Sequence, residues 1–143
     1  MLKRKLLTLF LGSLVSISLI ASWFVFADGE ELIAFFGMAL TIGLVAIPAI
    51  VLYGIPVSFL SDKITKSFSN YQRIGWSLVI HVFFGISFVF IAGLLFETKM
   101  LLTDFSRFWQ YYEFIFIASV FTAICFWIVD QGIKYCRLIK NTN

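Results

Sequence analysis

The sequence predicts an all-α, integral membrane four-helix bundle, with both termini in the cytoplasm and an interfacial amphipathic helix on the outer surface between spans three and four. Three observations carry that prediction. Hydrophobic residues fill 61% of the 143 positions and charged residues only 13%, with a mean hydropathy of +0.98, whereas a water-soluble domain carries roughly 25% charged residues. Four apolar runs are each long enough, or nearly so, to cross a bilayer. Basic and non-basic connections alternate between those runs. Length and patterning allow one membrane domain over residues 1–143, with no linker, low-complexity segment or internal repeat to divide it.

The first span, 6–27, runs from Leu6 to Ala27 without a charge. At 1.5 Å per residue it covers about 33 Å, against a hydrocarbon thickness of about 30 Å. The second apolar run, Leu32 to Ser61, is too long for one straight span, and the span is placed at 32–56. Pro48 is expected to kink it, because proline removes a backbone donor and crowds the preceding turn. Pro56, in Tyr53-Gly54-Ile55-Pro56, is expected to end or bend it at the inner interface, leaving Val57 to Ile64 along the cytoplasmic membrane surface. The third span is 74–96. The fourth, 112–133, has its apolar centre from Phe114 to Val129. Helices satisfy their backbone polar groups within the segment, and the apolar-polar alternation of a β-barrel is absent. Between spans three and four, Leu101, Phe105, Phe108 and Tyr112 recur at helical spacing, with Asp104, Arg107 and Gln110 opposite. This pattern predicts the outer interfacial helix.

Orientation follows from Lys and Arg. Lys3, Arg4 and Lys5 precede span one, and Lys63, Lys66 and Arg73 follow span two. Lys134, Arg137 and Lys140 follow span four. The first outer connection holds Asp28, Glu30 and Glu31, and the second balances Lys99 and Arg107 with Glu97, Asp104 and Glu113. An alternative treats residues 1–27 as a secretory signal cut near Val25-Phe26-Ala27, which leaves three spans; the apolar stretch is long for that role.

Few side chains offer chemistry. His81 is the sole histidine and falls within span three. Asp130 falls near the cytoplasmic end of span four, and an antiparallel pairing of spans three and four puts the two within about 6 Å in depth. Such a pair can relay a proton or bind a cation, and ionisable residues within a membrane are functional candidates by default. The plainer reading, which is preferred, has neutral His81 bonding across helices and Asp130 reaching interfacial water. The acidic group Asp28, Glu30, Glu31 can attract cations, but solvating a turn accounts for it. Small residues recur four apart at Gly12/Ser16, Ser18/Ser22, Gly37/Thr41, Ala39/Gly43 and Ala118/Thr122, which favours close helix packing within the chain or against a partner. Cys125 and Cys136 lie toward the reducing side, and no metal-ligand spacing occurs, so no disulfide, metal or other cofactor is expected. No nucleophile stands beside a base and an orienting acid, and no phosphate-binding glycine loop or HExxH occurs, so an enzyme is not expected. Without a soluble basic patch, nucleic acid is not an expected partner.

The segment Val51-Leu52-Tyr53-Gly54-Ile55-Pro56-Val57-Ser58-Phe59-Leu60-Ser61-Asp62, together with four short spans in a chain of this length, resembles a family of small uncharacterised membrane proteins of Bacillus-type Gram-positive bacteria. The resemblance implies a bacterial plasma membrane and brings no assigned activity or site. The same segment is a candidate kink or docking element, with Pro48, Tyr53, Gly54, Pro56 and Asp62 as its residues, although ending an overlong span accounts for it more simply. The functional expectation is a non-enzymatic accessory or interaction protein, in contact with the lipid bilayer and with a membrane-protein partner or a second copy of itself. The alternatives are a small oligomeric transporter or channel for an ion or small solute, and a phage- or bacteriocin-related protective or permeabilising factor.

Overall fold

The structure, a computed structural model, describes residues 2–29 and 31–142. Glu30 lies outside the described residues, as do the side chains of Asp28, Arg137 and Lys140, so the acidic outer group is seen only at Glu31. The described residues form helices and short connections, with no strand among them. Helix α1 is Leu2–Asp28 and α2 is Leu32–Ala49. A π-helical turn, Ile50–Gly54, leads directly into α3, Ile55–Ile64, which ends in a 3-10 turn at Thr65–Ser67. Helix α4 is Asn70–Phe96, α5 is the short Thr98–Thr103, and α6 is Phe105–Thr142. Four helical stretches are long and apolar enough to cross a membrane: Lys3–Ala27, Ile33–Ser67, Tyr71–Phe96 and Phe105–Cys136.

The helices pack in the order α2, α1, α6, α4, and α3 closes the ring by packing on α4 at one end only. Helices α4 and α6 approach closely where Gly85 faces Ser119 and Ala123. A Cβ on Gly85 would stand 3.0 Å from the Ala123 Cβ and 3.1 Å from the Ser119 carbonyl oxygen. Ser119 uses that closeness to donate a hydrogen bond to the Gly85 carbonyl at 2.9 Å. Buried Gly12 and Ser16, and Ala118 with Thr122 facing a cleft, place two of the predicted small-residue pairs on inward surfaces.

Two local expectations differ from the structure. The helix of the second span does not stop at Pro56. Residues 33–67 form one continuous helical path, and Val57, Ser58, Ser61, Asp62 and Thr65 are buried rather than laid along a surface. Pro56 sits in the first turn of α3, where a missing N–H is tolerated. The wider π turn just before it relieves the clash its ring would make with the Leu52 carbonyl. Pro48 likewise remains inside α2, two residues before that π turn. The positions Ser58, Ser61, Asp62 and Thr65 form one small polar stripe at helical spacing, and the chain continues because that stripe has polar partners to meet.

The second difference concerns the outer amphipathic helix. The predicted element is split at Asp104: α5 ends there, and Phe105 to Tyr112 form the first two turns of α6. The Asp104 carboxylate accepts the Arg107 backbone N–H at 3.1 Å, an N-cap that restarts the helix. Phe108 is fully buried, because Gly93 leaves room for its ring. A Cβ at Gly93 would lie 2.5 Å from that ring. Tyr112 stacks on Phe108 with ring centroids 4.4 Å apart. The aromatic run therefore fastens α6 to α4 and α5 instead of forming a separate surface helix.

Candidate functional site

Within the second span α3 and the turns on either side of it meet α4 while α2 does not, so the bundle is shut at one end, and the shut end holds the buried Lys5, Asp62 and Asp130. Arg4 and Lys5 enter from the first turn of α1, Asp62 from the end of α3, and Asp130 and Lys134 from one turn of α6. Asp62 pairs with Arg4, with Lys5 at 2.7 Å and with Lys134 at 2.8 Å. Asp130 pairs with Lys134 at 2.8 Å, with Lys5 at 3.3 Å and with the Arg4 Nε at 3.6 Å. The Thr8 hydroxyl lies 3.2 Å from Asp130. The Lys5 and Asp130 side chains are each only 1% exposed, whereas Arg4 and Lys134 keep 16% and 18%.

Lysine has three N–H donors and no acceptor. Lys5 spends its donors on Asp62, on Asp130 and on the Ser58 hydroxyl, which is 2.6 Å away. It is the hub: one side chain from α1 ties α3 to α6. Charges removed from water are tolerated only with good geometry and satisfied hydrogen bonds, and Lys5 meets both conditions. From Lys5 to Ala27 the helix rises about 33 Å, so the ionic lock stands at one edge of the apolar slab.

A neutral network adjoins the lock. The hydroxyls of Ser61 and Ser77 are 3.0 Å apart, Gln131 donates to Ser77 at 3.3 Å, and Thr65 donates to the Ser61 carbonyl at 2.7 Å. Next comes His81, whose Nδ1 lies 2.7 Å from the Ser77 carbonyl oxygen. Neither expectation for His81 and Asp130 is met: no hydrogen bond joins them, His81 bonds to Ser77 on its own helix rather than across helices, and Asp130 is buried against α1 and Lys134 instead of reaching interfacial water. Asp62 joins the site, whereas Pro48 and Gly54 do not touch the charges.

Sequence reasoning assigned Arg4, Lys5 and Lys134 to topology and missed their part in this cluster. One signal was present: Lys134 follows Asp130 by four residues, a spacing that brings helix side chains together.

Beyond the lock, α2 and α4 diverge. The last tie to α4 is Tyr53 of the π turn, whose hydroxyl donates to the Phe84 carbonyl at 3.0 Å and whose ring packs against Phe84 and Phe88. The π turn is what aims Tyr53 across the gap. A cleft of about 390 Å³ opens beside it between α2, α4 and α6, lined mainly by apolar side chains, with His81 among the few polar ones. It opens at the side of the bundle and ends against the closed polar layer. Among the described residues no cluster of His, Cys, Asp and Glu is arranged to hold a metal ion. Cys125 and Cys136 are free thiols. No protein-family model, no curated protein and no solved structure matches this chain.

Proposed function

We propose that this is a non-enzymatic, multi-pass protein of accessory or interaction type, which holds another membrane component in its side cleft. It resides in a bacterial plasma membrane with both termini in the cytoplasm. The observation that carries this reading is the pairing of a laterally open, apolar cleft with a closed ionic layer whose charges are paired with one another. A conduit needs a polar path, and here the charges are consumed by one another while the cavity walls are apolar. The alternation of basic connections supports the orientation.

The test is site-specific photocrosslinking in native membranes. Crosslinkers at Ala46 and Ala118, which line the cleft, should capture a discrete species. Crosslinkers at Leu52 and Ile128, 79% and 55% exposed on the outside of the bundle, should give only diffuse lipid adducts. The same pattern from all four positions would count against a specific cleft ligand.

A second reading, a small transport protein, is favoured by one observation: five charged side chains converge at the edge of the apolar slab. Sealed vesicles carrying the protein would then show ion or solute flux above empty vesicles, and Asp130→Asn would abolish it. Flux equal to that of empty vesicles removes this reading.

A further inference from the structure

His81, which lines the cleft, carries a ring nitrogen with no partner. His81 is 4% exposed, and its Nε2 is buried without a hydrogen bond. A carbonyl oxygen only accepts, so the contact with Ser77 places the proton on Nδ1. The neutral ring then presents a bare lone pair at Nε2. Of the hydroxyls lining the cleft, Tyr53 is engaged with Phe84, Ser119 with Gly85 and Thr41 with Gly37, and Thr122 makes no hydrogen bond to the ring. A buried acceptor left bare is costly, and native structures fill nearly all of them.

Cavity size limits what can reach it. One turn of α-helix, about 10 Å wide and 5.4 Å long, takes up roughly 420 Å³, about the whole of the 390 Å³ cleft, so a partner span could sink no more than one turn into it. A hydrocarbon chain fits. With each methylene displacing about as much as a water molecule, ~30 Å³, roughly a dozen of them fill the space. We infer that the cleft takes a single-chain amphiphile whose terminal hydroxyl or undissociated carboxylic acid donates a hydrogen bond to His81 Nε2, with the chain lying against Phe88 and Phe114. This rests on the reading of the cleft as a binding site and names its ligand class.

The experiment uses the full chain in lipid nanodiscs with two photoreactive probes, a long-chain alcohol and the matching carboxylic acid. The expected result is adducts on cleft peptides for at least one probe. The unlabelled parent compound should compete, and its methyl ether or methyl ester, which has no donor, should not. Whichever probe labels identifies the source of the donor. His81→Phe should lower labelling about tenfold, the loss of one hydrogen bond worth ~1.4 kcal/mol. Equal competition by the methyl-capped compound on the wild-type chain overturns the inference without reliance on any variant. Undiminished labelling of a folded His81→Phe protein overturns it as well. Failure of both probes, with a discrete protein adduct from Ala46 or Ala118, overturns the ligand class and leaves the cleft as a binding site. Failure of both with no discrete adduct removes the two together.

Discussion

Lys5 and Asp130 stand 125 positions apart in the chain and 3.3 Å apart in the structure. Lys5 also meets Asp62 at 2.7 Å, so the first helical turn of the chain is wedged between two carboxylates from elements that do not otherwise share a helix. Breaking such a buried pair from one side leaves an uncompensated charge, which costs about 3–5 kcal/mol, whereas replacing both partners with apolar groups is often close to neutral. Asp130→Leu alone and Lys5→Met alone should each lower the thermal unfolding temperature of the purified protein sharply. The double variant should recover part of the loss. Additive losses in a double-mutant cycle would show that the two residues are not coupled.

The mature protein is expected to retain its first helix. Removing residues 1–27 would take Arg4, Lys5 and Thr8 out of the lock and leave Asp62 and Asp130 with Lys134 as their remaining partner among those described here. Intact-mass measurement of protein purified from membranes should give a chain that still contains Lys5. A species beginning after Ala27 would contradict this.

Phe108 and Leu102 separate packing from surface in the segment before the last long helix. Phe108 is fully buried, whereas Leu102 is 72% exposed. Phe108→Ala should cost about 3–5 kcal/mol, the range for emptying a buried aromatic site, and Leu102→Ala should have little effect on unfolding. Similar small effects at both positions would return this segment to the bilayer surface.

Orientation has its own measurement. Cys136 is exposed at the end of α6, and in intact cells a membrane-impermeant thiol reagent should leave it unlabelled. Lys99→Cys, placed at the opposite end of the bundle in a chain with Cys136→Ser, should be labelled from outside. The reverse pattern would invert the assigned topology.

The four long helices were legible because hydropathy is a local property, averaged over a turn or more. The site was only half legible. Asp62, Asp130 and His81 stood out as polar groups in apolar surroundings, but their partners come from the far end of the chain, and no local pattern encodes contact between Lys5 and Asp130. Depth along the membrane normal says nothing of rotation about the helix axis, and rotation decides who bonds to whom. Pro56 misled for a different reason. Proline predicts loss of a hydrogen bond, and the π turn at Ile50–Gly54 absorbs that loss without ending the helix. The aromatic stripe at Phe105, Phe108 and Tyr112 had the spacing of an amphipathic surface helix. The space left by Gly93 turned Phe108 inward.

The tie between Tyr53 and Phe84 has a mechanical consequence. On one side of it the helices are clamped by ion pairs and serine contacts; on the other, α2 packs against α1 and has no comparable hold on α4. The stretch from Leu32 to Ala49 is therefore held to the bundle along one side, by α1, and at its end by the π turn.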